Sequence, residues 1–144
     1  MAAQSGVTVE DKVLNEYLAI KMKHVYSYIQ MKISSDKTTI VLDKTVPAEE
    51  DNFEAFVSQL PEQEGRYAVY DFPCKLENGT ERKFLIFFQW CPDAAPVRPK
   101  MLFASSKDAL KKKLEGVFME FQASELADLK VEEVEAKIRS KCRQ

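Results

Sequence analysis

Residues 83–90, KFLIFFQW, read as a strand that is apolar on both faces. At a period of two, Phe84, Ile86, Phe88 and Trp90 point one way and Leu85 and Phe87 the other. Such a strand leaves no face for water, so it belongs at the centre of a sheet covered by helices on both sides. RYAVYDF, residues 66–72, is its hairpin partner, and Asn78-Gly79 supplies the turn because this dipeptide accepts positive φ. Asn78-Gly79-Thr80 also spells a glycosylation sequon, which without secretion reads as the turn alone.

The remaining elements follow from periodicity. Val9, Val13 and Tyr17, with Leu14 and Leu18, predict an amphipathic helix capped by Thr8 and ending near Lys21. Residues 25–33 alternate as a strand, 34–37 turn, and 38–44 form a second strand. Phe53, Phe56, Val57 and Leu60 define a short helix with an acidic outer side, closed by Pro61. After a long basic helix come a strand at 117–121, a turn at 124–128 and a last helix carrying Val131, Val134 and Ile138. The order α β β α β β α β α implies an α/β sandwich, a central mixed sheet of about five strands flanked by helices on both faces. A chain of 144 residues holds one such domain, 1–144, with small polar residues 1–8 as a flexible arm.

Composition excludes several classes. No run approaches the roughly 20 apolar residues of a membrane helix, and the first residues lack the features of a signal peptide, so the chain is expected in the cytoplasm. Cys74, Cys91 and Cys142 are odd in number and scattered, which supports neither a disulfide framework nor a metal site. No nucleophile elbow, phosphate loop or paired-histidine motif is present, so neither enzyme activity nor a cofactor is expected. His24, at the edge of the following strand, is a solvent-facing or ordinarily bonded residue. ERKFLIFFQW lacks the glycine spacing of an aromatic RNA-binding strand, and nucleic acid is not an expected partner.

The net charge of −2 conceals a polarity. Lys107 to Lys113 holds four lysines against one aspartate, and Lys137, Arg139, Lys141 and Arg143 crowd the tail. Acidic residues gather at Glu49, Glu50, Asp51 and Glu54, and again at Glu132, Glu133 and Glu135. Such a surface meets an acidic partner with one face only. The cationic face lies on residues 92–116, read as one helix with Val97, Met101, Leu102, Ala109, Leu110 and Leu114 toward a core. Arg98, Lys100, Lys107, Lys111, Lys112 and Lys113 stay in water. Pro96 and Pro99 suit the first turn, Gly116 the stop, and Ser105 and Ser106 a bend through bonds back to carbonyls one turn earlier.

WCPDAAPVRPKMLFASSKDALKKKLEG, residues 90–116, resembles the signature of the actin-depolymerising factor/cofilin family, a single ADF-homology domain with a gelsolin-like fold. SGV near the start, RYAVYDF at 66–72 and FFQW at 87–90 fall in the same order and spacing as in that family, so the resemblance covers nearly the whole chain.

The resemblance implies an actin-binding protein that binds monomer and filament and promotes depolymerisation and severing. Its contact residues for both actin forms would be Ser5, Gly6, Val7, Arg98, Lys100, Met101, Ser105, Lys111, Lys112 and Lys113. Ser5 would be a regulatory phosphorylation site, and Lys111, Lys112 and Lys113 would also meet phosphoinositide head groups. Filament-specific contacts would be Arg82, Lys83, Lys137 and Arg139. One position of that patch, usually lysine, is Phe84 here, with Lys83 pointing the opposite way in a regular strand. A filament- or phosphoinositide-binding module with weak or no severing, as in coactosin-like proteins, is the alternative. No metal or cofactor is implied, and the chain is expected to act as a monomer in the cytoplasm and cytoskeleton.

Overall fold

A computed structural model describes residues 7–143. Six strands form one sheet in the order β1-β3-β2-β4-β5-β6, where β1 is Thr8–Val9, β2 Tyr26–Ile33, β3 Thr39–Pro47, β4 Arg66–Lys75, β5 Glu81–Trp90 and β6 Met119–Ala123. Four α-helices accompany it: α1 Asp11–Lys23, α2 Phe53–Ser58, α3 Val97–Lys111 and α4 Val131–Cys142. The β4–β5 hairpin pairs without a break from Arg66↔Trp90 to Lys75↔Glu81, and Gly79 turns it at φ 88°. β6 runs parallel to β5 and β1 parallel to β3, so the sheet is mixed as expected.

The strand beyond the expected five is β1. Thr8 and Glu10 donate backbone N–H groups to the carbonyls of Thr38 and Ile40, each at 3.0 Å. Val7, before it, is 4% exposed. The arm expected at 1–8 therefore does not include residues 7 and 8; residues 1–6 lie outside the described residues.

β5 is covered on both faces. Phe84, Ile86, Phe88 and Trp90 join a core with Phe53 and Phe56 of α2 and Val134 and Ile138 of α4. Phe87 joins the other core, with Val13, Tyr17 and Ile20 of α1 and Phe103 and Leu110 of α3. The first core is aromatic: Phe53 lies 5.4–5.6 Å from the rings of Tyr70, Phe72 and Phe88, edge-on or tilted. Each such ring removed from water contributes on the order of 2 kcal/mol.

Two expectations for α1 are corrected. Thr8 does not cap it, because that residue is paired in β1; Glu10 precedes the helix, and its carboxylate accepts the Leu42 N–H at 3.2 Å instead. His24 is not on a strand edge but terminates α1 in the left-handed region at φ 53°, its N–H bonded to the Ile20 carbonyl. The Nδ1 of His24 lies 2.7 Å from the Oδ2 of Asp71, a β4 carboxylate only 2% exposed. Leu18 turns outward at 46% exposure, since the stripe Val13, Tyr17, Ile20 already fills the inner face.

α3 sits on the sheet through a close approach. Phe103 stacks on Tyr67 at 4.1 Å, and the Tyr67 hydroxyl donates to the Phe103 carbonyl at 2.5 Å. A Cβ on Gly65 would come 2.5 Å from the Phe103 ring. Gly65→Ala is therefore expected to lower stability by about 1–3 kcal/mol, because ring and helix must shift together. Urea denaturation followed by circular dichroism measures this; an unchanged midpoint would mean that α3 is not wedged there.

Candidate functional site

The sequence around α3 dictates both its start and its orientation. Pro96, whose φ is −58°, precedes the first helical residue, and Pro99 falls where its missing N–H costs little. The Pro96 carbonyl accepts the Lys100 N–H at 3.0 Å, closing the first turn. The helix is shorter than the 92–116 span predicted. It ends at Lys111; the N–H groups of Lys113 and Leu114 then donate to the carbonyls of Leu110 and Lys111 in tighter turns, and Gly116 reverses the chain at φ 91°.

Its inner stripe is Phe103, Ser106 and Leu110, followed by Leu114 beyond the helix. Val97 and Met101, expected toward the core, face outward at 72% and 66% exposure. The reason is angular: Phe103 lies two positions after Met101, which is about 200° around a helix. Once Phe103 takes the seat on Tyr67, Met101 must point to water. Ser105 is also exposed and makes the expected bond back to the Leu102 carbonyl at 3.1 Å. Ser106 is fully buried, its hydroxyl without a partner among the described residues, and the helix remains continuous across both serines.

The outward surface of α3 thus carries two exposed apolar side chains, Val97 and Met101, among cations. Arg98 is exposed and in no ion pair among the described residues, while Lys100 donates to the Asp93 carbonyl at 3.0 Å. The cluster of Lys111, Lys112 and Lys113 is divided. Lys111 pairs with the Oε2 of Glu120 on β6, whose Oε1 accepts from Gln89 at 2.8 Å and lies 4.0 Å from Lys107. The Lys111–Glu120 bond holds the Glu120 carboxyl below its ordinary range and raises the Lys111 ammonium above its own. Lys112 and Lys113 are exposed and make no ion pair among the described residues. Val7 is occupied in the core beside Leu110 and Leu114, so its side chain offers no outer surface; Ser5 and Gly6 lie outside the described residues.

A second basic patch forms at the far end of the β4–β5 hairpin. The Arg82 guanidinium lies 5.2 Å over the Phe84 ring, and Phe84 is 3% exposed against Phe118. Lys83, paired with Pro73 in an unbroken register, points to the opposite face. α4 closes on this end: Arg139 donates to the Lys75 carbonyl at 2.9 Å, and Arg143 pairs with Glu77 at 2.8 Å. Lys137 lies 4.8 Å over Phe121. The fold therefore gathers Arg82 and Arg139 at the hairpin, with Lys137 further along α4 and Lys83 apart. Glu120 and the outward position of Val97 were missed by sequence reasoning. No local signal marks the second, because Val97 with Met101 and Phe103 with Leu110 are both apolar pairs at helical spacing.

Among the described residues no helix is long and apolar enough to cross a membrane. Comparison with known proteins extends this picture. Residues 6–139 match the family of cofilin/tropomyosin-type actin-binding proteins. A cofilin of Ogataea parapolymorpha is 42% identical over 137 residues, covering 94% of each chain. The crystal structure of Streptomyces griseoflavus cofilin matches with a TM-score of 0.83 at 32% identity, covering 92% of this chain and 96% of that one. Coactosin from Entamoeba histolytica matches with a TM-score of 0.81 over 98% of this chain and all of its own, but at 17% identity it shares the fold alone. With a match to the family over residues 6–139 and a relative 42% identical along nearly its full length, the chain belongs to the cofilin/ADF family of actin-binding proteins.

Proposed function

We propose that this protein binds actin as monomer and filament through the outward surface of α3 and promotes filament depolymerisation and severing. The observation that carries this reading is the pair Val97 and Met101, exposed at 72% and 66% on a rigid helix beside Arg98 and Lys100. Exposed apolar side chains flanked by cations form a surface that an acidic groove desolvates on contact, and this is where binding energy concentrates. The cations steer the encounter over roughly 8 Å at physiological salt and fix orientation. The action is stoichiometric: preference for one filament twist shifts that equilibrium by the differential affinity alone. Lys112 and Lys113, with Lys111 once released from Glu120, would meet phosphoinositide head groups. The protein works as a monomer in the cytoplasm and on the cytoskeleton.

A second reading, strong filament binding with weak severing, is favoured by one observation. Phe84 is built into the core at the position where the resemblance expects a cation. Filament contacts then rest on Arg82, Arg139 and Lys137, with Lys83 facing away. Labelled single filaments watched by fluorescence microscopy, alongside a monomer-binding titration, separate the two readings.

Replacing Arg98 and Lys100 together by Glu is expected to weaken co-sedimentation with filaments at least about tenfold, through loss of orientation and charge. Wild-type affinity would remove α3 from the interface. Ser5→Glu adds negative charge to an arm that meets an acidic partner, as phosphorylation would with about −1.5 to −2 charges, and should lower monomer affinity. Titration of labelled monomer reads this directly.

The Lys111–Glu120 pair also has a pH signature. Because the folded carboxyl lies below its ordinary range, its contribution is complete above the unfolded value near 4.5 and is lost as pH falls through the folded one. Lys111, raised when folded, keeps its contribution below the unfolded value near 10.5 and loses it only as pH rises through the folded one. The stability difference between wild type and Glu120→Gln should therefore be constant across neutral pH and shrink below the glutamate range. Denaturation series at several pH values measure it.

A further inference from the structure

The two acidic runs of the sequence have no part in the α3 surface, yet the fold brings them to one place. Asp51 and Glu54 line one wall of a groove of about 620 Å³, at the start of α2. Glu132 lines the opposite wall, in the first turn of α4. Between them the floor is apolar. Phe53 and Leu129 close the bottom at 8% and 6% exposure, Val57 and Val131 are half-buried, and Leu126 stands at the lip at 51%.

We infer that this groove docks a basic amphipathic helix of a partner protein, its apolar side chains on Leu126, Val57 and Val131 and its lysines or arginines against Glu54 and Glu132. Two independent features lead there. Helix dipoles account for Glu54 and Glu132 in first turns, but they do not account for the aliphatic surface left between those turns. Conversely, an apolar groove alone would suit many ligands, whereas this one carries Asp51, Glu54 and Glu132 against a single lysine, Lys130. Glu54 and Glu132 are exposed and form no ion pair among the described residues, as do their neighbours Glu49, Glu50 and Glu133. Asp51 is the exception in being engaged, accepting the Tyr70 hydroxyl at 2.6 Å. Unneutralised charge of one sign around an aliphatic strip repels acidic partners, leaves its carboxylates unpaired against neutral ones and so favours a cationic one. Two walls set by helices suit the helix-in-groove mode, in which an amphipathic helix lays its apolar face into a groove.

The position adds a consequence. α2 and α4 cover the sheet face opposite to α1 and α3, so the groove shares no wall with the α3 surface. This inference does not depend on the proposed function of α3.

The test uses the full chain and a fluorescein-labelled peptide of about 15 residues built from leucine and lysine at helical spacing, with a scrambled peptide of the same composition as control. Fluorescence anisotropy should show saturable binding, at least about tenfold weaker for the scrambled peptide. Glu54→Lys with Glu132→Lys should weaken binding by a similar factor, and so should Leu126→Asp at a position 51% exposed, with circular dichroism to check that each variant is folded. Glu81→Lys, an exposed acid on β5, should leave it unchanged. Amide shifts in NMR should concentrate on residues 51–58 and 126–132. Equal binding of both peptides, an equal effect of Glu81→Lys, or shifts spread over the acidic surface would overturn the proposal. So would sedimentation showing self-association abolished by Leu126→Asp, which would make a second copy of this chain the occupant.

Discussion

Covering both faces of β5 is the constraint on which the rest of the molecule depends. Phe84, Ile86, Phe88 and Trp90 on one side and Phe87 on the other cannot be satisfied by a single layer of helices. Two layers follow, and each acquires a separate role. α2 and α4 close an aromatic core whose rings meet edge-on, a rigid arrangement with little freedom to repack. α1 and α3 close the other core, where α3 is seated by Phe103, by Leu110 and by the bond from the Tyr67 hydroxyl.

That attachment explains why the outer side of α3 looks as it does. Stacking of Phe103 on Tyr67, the bond from the Tyr67 hydroxyl and the absence of a side chain at Gly65 together set the rotation of the helix. Val97 and Met101 are outward as a result of that rotation, not through any property of their own. A surface of this kind is specified from beneath, by residues that a partner never touches.

The strands and helices were largely legible from the sequence because their periodicities are strong. The hairpin of β4 and β5 could be read from RYAVYDF, Asn78-Gly79 and KFLIFFQW alone. The rotation of α3 was harder: its apolar residues form two stripes, one around Phe103 and Leu110 and one at Val97 and Met101, and local pattern gives no ground for choosing the buried one. Pairing of Lys111 with Glu120 was illegible for a different reason, since it needs β6 to lie parallel beside β5 and bring residue 120 under α3. Thr8 misled because a threonine before a helix has the chemistry of a cap, while its backbone had a sheet partner 31 residues away in Thr39. The convergence of the acidic runs at α2 and α4 likewise exists only in three dimensions.

The outer margin of β3 shows how an open sheet avoids recruiting foreign strands. β1 occupies only Thr39 and Ile40, which would leave most of a nine-residue strand as a template for aggregation. The Glu10 carboxylate takes the Leu42 N–H, the pairing with β2 is irregular near Gln30 and Met31, and Pro47 ends the strand without a donor. A neighbouring chain would find an interrupted ladder there, so strand addition along this margin is disfavoured.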